Sequence, residues 1–228
     1  MDWTEELDLS PYDLDQWTAP SRLSFLSYDL DDHVAGTLCA LNEQWLAGYN
    51  DEHIADEVAL AALIRERVPT HTLAAVDTIV APLAAAGGFF GKMHQSPKDA
   101  YTGTVDDGIA YIAYLRCTDA VDWFVRCVKS SRVAEDLFQG ARQCFFVAWR
   151  DDIATAPIER VFIVRHRRMN DTHDACAALA RQYEQCAVDV AVLADGPPVV
   201  IEVNPLDDET DLYGHSVEEI EAFYAASR

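Results

Sequence analysis

The sequence predicts an α+β fold, because it combines segments of helical periodicity with short β-branched runs. Apolar residues recur at helical spacing in residues 34–45 and 54–62, which indicates two amphipathic helices. Two β-branched runs, 187–193 and 198–204, flank Asp195-Gly196, a dipeptide typical of two-residue hairpin turns. Hairpins join antiparallel strands, so we expect antiparallel sheets with helices packed against them.

The charge of the chain is strongly negative and unevenly distributed. The formal net charge is −22 over 228 residues, and 50% of the residues are hydrophobic, which indicates a folded globular protein rather than an acidic tail. Residues 92–168 hold 12 of the 17 Lys and Arg residues against 10 acids, so that span is about neutral. An acidic surface repels nucleic-acid backbones and anionic membranes. It favours either solubility alone or a basic protein partner.

The cysteine pattern favours a cytoplasmic protein, with a nuclear location as the alternative. The six cysteines have no CxxC spacing, and five lie in apolar segments, so we expect reduced core residues rather than disulfides or a zinc site. The first residues are acidic and lack the pattern of a signal peptide. No apolar run approaches the ~18 residues of a membrane span, so we expect no membrane partner.

The remaining elements are predicted in chain order. Residues 1–32 are acidic and rich in aromatic residues, which indicates an irregular arm that packs on the body or binds a partner. The first two helices are separated at Gly48-Tyr49-Asn50-Asp51, and a third helix in residues 73–86 ends at Gly87-Gly88. We expect further strands at 89–93, 109–115, 143–149 and 158–164, and further helices capped by Thr118, at 171–185 and at 217–227.

The predicted hairpin places two acids opposite each other. In a two-residue loop at positions 195 and 196, Asp189 lies across from Glu202 with Cβ atoms about 4.5–5.5 Å apart, where two carboxylates repel unless a positive group lies between them. Asn204 projects from the same strand face as Glu202. Oxygen ligands of this kind suit Mg²⁺ bound together with a nucleotide. The alternative is an exposed acidic hairpin, which the apolar residues flanking Glu202 disfavour.

The hairpin and a second segment resemble motifs of one family. Asp189 and the string Glu202-Val203-Asn204-Pro205, followed by Thr210-Asp211, are similar to the metal-binding hairpin of the ATP-grasp superfamily. Within it, the sequence most resembles the cell division cycle protein 123 family, the assembly chaperone of eukaryotic translation initiation factor two. That family usually has Asp in place of Glu202. Ser96-Pro97-Lys98-Asp99-Ala100 matches another family motif at the expected distance from Lys92.

The resemblance implies an ATP-grasp protein with a nucleotide cleft between two lobes. The lobes would comprise residues 33–142 and 143–228, after an arm of residues 1–32. The metal ligands would be Asp189, Glu202 and Asn204, with Asp211 orienting one of them. The loop containing Ser130-Ser131-Arg132 would lead to the cleft.

The resemblance also assigns the residues that would contact ATP. Lys92 would hold a phosphate, although by chemistry alone a strand lysine more often lies at the surface. The other ATP-binding residues would be Ser96, Lys98, Phe146, Val147, Ala148, Trp149 and Arg160, of which residues 146–149 would form the adenine pocket. Arg160 and Arg168 would act with Lys92 as catalytic residues, because a guanidinium can neutralise the terminal phosphate.

Three functions are compatible with a Mg–ATP site. The first is an assembly factor that uses ATP and docks a basic surface such as a translation factor subunit. The second is an ATP-dependent ligase, which would join an RNA end or couple a carboxylate to an amine; an RNA would need a local basic groove, formed by Lys98, Arg132, Arg165, Arg167 and Arg168. The third is a degenerate fold that serves only as an interaction module.

Overall fold

The computed structural model describes residues 14–16, 23–47, 54, 56–101, 108–169, 174–206 and 215–226. The chain divides into two compact units. The first unit is Ser24–Trp149, and the second unit is Arg150–Arg228 together with Met1–Leu23. The predicted break at Gly48-Tyr49-Asn50-Asp51, the acid Asp211 and most of the predicted arm lie outside the described residues.

The first unit contains a three-stranded antiparallel sheet in the order β1-β3-β2. The strands are β1 (Phe25–Asp29), β2 (Phe89–Lys92) and β3 (Gln143–Ala148). The prediction of an irregular arm was therefore wrong for β1, which pairs residue by residue with β3. Strand β3, assigned by the sequence to the C-terminal lobe, is the central strand of this first sheet.

The helices of the first unit are α1 (Asp32–Leu46), α2 (Glu57–Arg67), α3 (Thr70–Ala85), α4 (Gly108–Leu115), α5 (Ala120–Lys129) and α6 (Ser131–Phe138). Helix α5 lies at their centre. Its apolar side includes Trp123, Phe124 and Val128, all fully buried, and α5 contacts α1, α2, α3 and α6. The ring of Trp123 meets that of Phe146 on β3 edge to face, at a centroid distance of 5.9 Å.

Two local predictions in the first unit were wrong. Residues 109–115, expected as a strand, belong to helix α4, because a short apolar run such as IAYIAYL fits a buried helix as well as a strand. Thr118 does not cap α5. The cap is Asp119, whose carboxylate accepts from the backbone N–H of Asp122 at 2.8 Å, while the Thr118 hydroxyl donates to the Asp122 side chain at 2.7 Å.

Gly91 on β2 lies directly against Trp123. A Cβ atom there would lie 2.6 Å from Cε3 of the indole, and Trp123 is fully buried and cannot move aside. We therefore expect Gly91→Ala to lower the free energy of unfolding by about 1–3 kcal/mol in urea denaturation. The matched control is Gly36→Ala in helix α1, where a Cβ meets nothing within 4 Å. It should raise stability by about 0.5–1 kcal/mol. Similar effects of the two changes would contradict this packing.

The second unit contains a four-stranded antiparallel sheet in the order β5-β4-β6-β7. Its strands are β4 (Ile158–Val164), β5 (Arg167–Met169), β6 (Gln185–Ala191) and β7 (Val199–Asn204), and its helices are α7 (Asp151–Ala154), α8 (Ala175–Gln182) and α9 (Val217–Ala226). Helix α9 packs Ile220 onto Phe162, Val164 and Ala187. Helix α8 is shorter than the predicted 171–185, because the chain enters β6 at Gln185.

The predicted register of the hairpin is confirmed, whereas the predicted turn is wrong. Asp189 pairs with Glu202, and Ala187 pairs with Asn204. The strands end at Ala191 and resume at Val199, so the connection is longer than two residues. Pro197-Pro198 explains the difference, because proline has no N–H to donate to a ladder. A bulge between Asp189 and Val190 shifts the register beyond that point.

The cysteines and the apolar helices bear on the expectations from composition. All six cysteines are free, and all but Cys39 are buried; burial raises the pKa of Cys117 and Cys144 to about 12. Within the described part of the chain, no single helix is long and apolar enough to cross a membrane. Helices α2 and α3, bent by 111°, meet the length and composition requirements only as a pair.

Candidate functional site

A row of three charged residues crosses the second sheet. Arg160 on β4 pairs with Asp189 on β6, and Asp189 pairs with Glu202 on β7. Residues paired in this way project from the same face of a sheet, so the three side chains form one line. Asn204 lies two residues beyond Glu202 on β7 and projects from the same face. The two acids and the amide therefore share one face of the sheet, as predicted; we call Asp189, Glu202 and Asn204 the acid row.

Arg160 compensates the charge of Asp189. Its Nε donates to Asp189 Oδ1 at 2.6 Å, and its Nη2 donates to Oδ2 at 2.8 Å. The side chains of Arg160 and Asp189 are only 9% and 2% exposed, so this bidentate pair is shielded from water. The sequence assigned Arg160 to the terminal phosphate of ATP and did not reveal this pair. Contacts between β4 and β6 are distant in sequence and leave no local signal.

The acid row fits a magnesium ion only when other ligands complete the shell. Among the described residues, no group of three or more His, Cys, Asp or Glu side chains could hold a metal. Mg²⁺, however, commonly uses one or two protein carboxylates and takes its other ligands from water and phosphate. Asp189 and Glu202, with the amide oxygen of Asn204, satisfy that demand. A carboxylate has about four lone-pair sites, so the pair with Arg160 leaves acceptor capacity on Asp189.

Three further arginines on and beside β5 lie away from the pair formed by Arg160 and Asp189. Arg168 pairs with Ile163, which is odd-numbered on β4 and projects from the face opposite to Arg160. The register therefore does not bring Arg168 to the acid row. Arg165 stacks on the ring of Tyr224 at 3.8 Å and Arg167 lies over Phe223 at 5.8 Å, so both pack against helix α9.

Lys92 is a buried lysine at the end of strand β2, in the first unit. It pairs with Phe145 of β3 and is 2% exposed, so it is not the surface lysine that strand chemistry alone would favour. Ser96 is also buried, and Lys98 is half-buried in a short 3-10 helix, Lys98–Ala100. Burial of an ammonium group requires compensating polar or charged groups nearby.

The two segments of the first unit that resemble family motifs contact each other. Asp99 accepts hydrogen bonds from the hydroxyl of Ser130 and from the backbone N–H of Ser131, the latter at 2.8 Å. The N–H of Arg132 lies 3.3 Å from the same carboxylate. Asp99 therefore caps the N-terminus of helix α6, where a negative charge is also favoured by the helix dipole. The sequence did not indicate this structural role of Asp99.

The candidate adenine residues lie at the end of strand β3. Phe146 packs in the core against Phe89 and Trp123. Val147 pairs with both Phe25 and Phe90, and the N–H of Trp149 donates to the carbonyl of Gly88 at 2.9 Å. Ala148 and Trp149 are half-buried. The role of these residues in binding adenine stays a prediction.

Comparison with known proteins finds matches among solved structures but none by sequence. No family model matches the sequence, and no curated protein sequence matches it. Among solved structures, Cdc123 from Schizosaccharomyces pombe matches with a TM-score of 0.63 at 15% sequence identity, covering 94% of this chain and 91% of that chain. A C-terminally truncated form of the same protein matches with a TM-score of 0.62, also at 15% identity, with the same coverage of both chains.

The chain has the Cdc123 fold. This confirms the predicted α+β class. At 15% identity, the likeness to Cdc123 concerns the fold, so the candidate site depends on the geometry of its own residues. In this Cdc123-like chain, Lys92 belongs to the first unit and the acid row to the second.

Proposed function

We propose that this protein binds ATP together with Mg²⁺, and that the acid row holds the metal ion. The observation that carries the proposal is the buried pair Asp189 and Glu202, which are 2% and 5% exposed on one sheet face. Two neighbouring buried carboxylates repel each other, and Arg160 compensates Asp189 directly. A divalent cation between the two carboxylates would reduce their mutual repulsion. The Cdc123 fold supports this assignment.

Each residue of the site would have a distinct task. Asp189, Glu202 and Asn204 would hold Mg²⁺, which when bound neutralises the phosphate chain of the nucleotide. Lys92 would bind a phosphate as a compact positive charge. Arg160 would fix the orientation of the Asp189 carboxylate through its two hydrogen bonds.

We further propose that the bound nucleotide serves an assembly function like that of the translation factor chaperone, with a basic protein surface as partner. The net charge of −22 supports a basic partner, because opposite charges accelerate association and disfavour anionic competitors. The ligase alternative uses the same nucleotide site. An experiment on that site therefore tests the part that both functions share.

Glu202→Gln should remove the magnesium dependence of ATP binding. Calorimetric titration of the wild type should show ATP binding with Mg²⁺ and much weaker binding with EDTA, because the metal links the carboxylates to the phosphates. In Glu202→Gln we expect the two conditions to give similar weak affinities. The matched control is Glu221→Gln on helix α9, an exposed acid that should keep the full magnesium effect. Magnesium-dependent binding of unchanged strength in Glu202→Gln would overturn the assignment.

A further inference from the structure

Asp136 is a fully buried carboxylate in a position that helix physics disfavours. It is 0% exposed and lies in the last turn of helix α6, where the partial negative charge of the helix terminus repels an acid. Burial alone also opposes its ionisation and raises the pKa of its carboxyl. An acid that is unfavourable on two counts requires compensation from its surroundings, and such positions are often functional.

The compensation comes from the loop that follows Lys92. Asp136 Oδ2 accepts the backbone N–H of Gln95 at 2.7 Å, and Oδ1 accepts Nε2 of the same residue at 3.3 Å. Gln95 is held in turn by Arg132, whose Nε donates to Gln95 Oε1 at 2.9 Å. These bonds fix the conformation of the chain three residues beyond Lys92.

Two positive groups also act on Asp136 electrostatically. Lys92 and His94 both lower the pKa of Asp136, against the larger effect of burial. On its own helix, the neighbouring charges are Arg132, which faces Gln95, and the exposed Glu135. Lys92 is 2% exposed, so its ammonium group and the Asp136 carboxylate are both buried on the two sides of the loop that Gln95 belongs to, and their opposite charges attract each other.

We infer that Asp136 is a positioning residue, which holds Lys92 and the loop after it in the geometry that receives a phosphate group of the nucleotide. The inference depends on the proposed function, in which Lys92 binds phosphate. Asp136 would act on the phosphate chain through Lys92 and would have no influence on binding of the adenosine part.

The test compares ATP with adenosine in Asp136→Asn. Asparagine has nearly the same shape and keeps an oxygen for the Gln95 N–H, but it has no charge to hold the ammonium group. We expect ATP affinity, measured by calorimetry or by competition against a fluorescent ATP analogue, to fall about tenfold while adenosine affinity stays within about twofold. Asp136→Glu keeps the charge and should recover part of the loss. The matched control, Glu135→Gln, removes an exposed charge from the same helix turn and should change neither affinity.

The possible outcomes separate this inference from the proposed function. A wild-type protein that binds no ATP overturns the proposed function and the positioning role together. A wild type that binds ATP, with an Asp136→Asn variant of equal affinity, overturns the inference alone. Equal losses for ATP and adenosine would also overturn it, because a purely structural role weakens both. If Asp136→Asn does not fold, the same comparison is made with Asp136→Glu, for which we expect a smaller but still selective loss of ATP affinity.

Discussion

Asp189→Ala is expected to lower the free energy of unfolding by about 3–5 kcal/mol, in addition to any loss of ligand binding. The reason is the bidentate contact with Arg160, at 2.6 and 2.8 Å. Removal of the carboxylate leaves a guanidinium that is only 9% exposed without its acceptor. Urea denaturation followed by circular dichroism measures the effect. Loss of nucleotide binding in Asp189→Ala is therefore interpretable only when the folded fraction is measured at the same time.

The contribution of the pair itself is obtained from two further variants. Asp195→Ala removes an exposed acid from the loop after β6, and its stability should remain within about 0.5 kcal/mol of the wild type. The double variant Arg160→Met with Asp189→Leu replaces both partners by apolar groups and should recover most of the stability, since a buried ion pair is often equivalent to a well-packed apolar pair. Equal stability of Asp189→Ala and Asp195→Ala would show that the buried guanidinium of Arg160 does not need the Asp189 carboxylate as its acceptor.

Lys92→Met is expected to weaken ATP binding by about 10- to 100-fold. A hydrogen bond to a charged group contributes about 1.5–3 kcal/mol, and each 1.4 kcal/mol corresponds to about a tenfold change in affinity. Methionine fills a similar volume at this buried position, so the change removes the charge and leaves the packing of β2 nearly intact. Calorimetric titration with Mg–ATP measures the loss.

The control for Lys92→Met is Arg65→Gln, which removes one positive charge from an exposed position on helix α2. ATP affinity in this variant should be unchanged, because an exposed and solvated charge is largely screened. An undiminished ATP affinity in Lys92→Met, with wild-type circular dichroism, would exclude Lys92 as a phosphate ligand.

The pairs of site residues that could be predicted from the sequence are those whose strands follow each other along the chain. Asp189 and Glu202 belong to consecutive strands, so a local rule gave their pairing correctly even though the turn was wrong. The error in the turn had no effect on the pair. The bulge lies between Asp189 and Val190, on the turn side of the pair, and the change of register is confined to that side. Arg160 reaches Asp189 from a strand that is distant in sequence, and no periodicity or motif encodes that register.

In the first unit, too, the sequence did not predict which charged side chains are buried together. The position of Lys92 on a strand followed from its apolar neighbours, and the structure confirms the strand. The burial of Asp136 had no signal, since acids in short helices are mostly exposed and its partners on the loop after β2 are distant in sequence. The fold class was recoverable from local periodicity, whereas the groups that compensate each buried charge required the tertiary structure.

The most direct test of the central claim is a crystal structure of the protein with Mg²⁺ and a non-hydrolysable ATP analogue. The account predicts a metal ion coordinated by oxygen atoms of Asp189 and Glu202, with the phosphate chain of the nucleotide bound to this metal ion. A bound nucleotide with no metal ion at Asp189 and Glu202, or a metal ion held there without any contact to the phosphate chain, would contradict it.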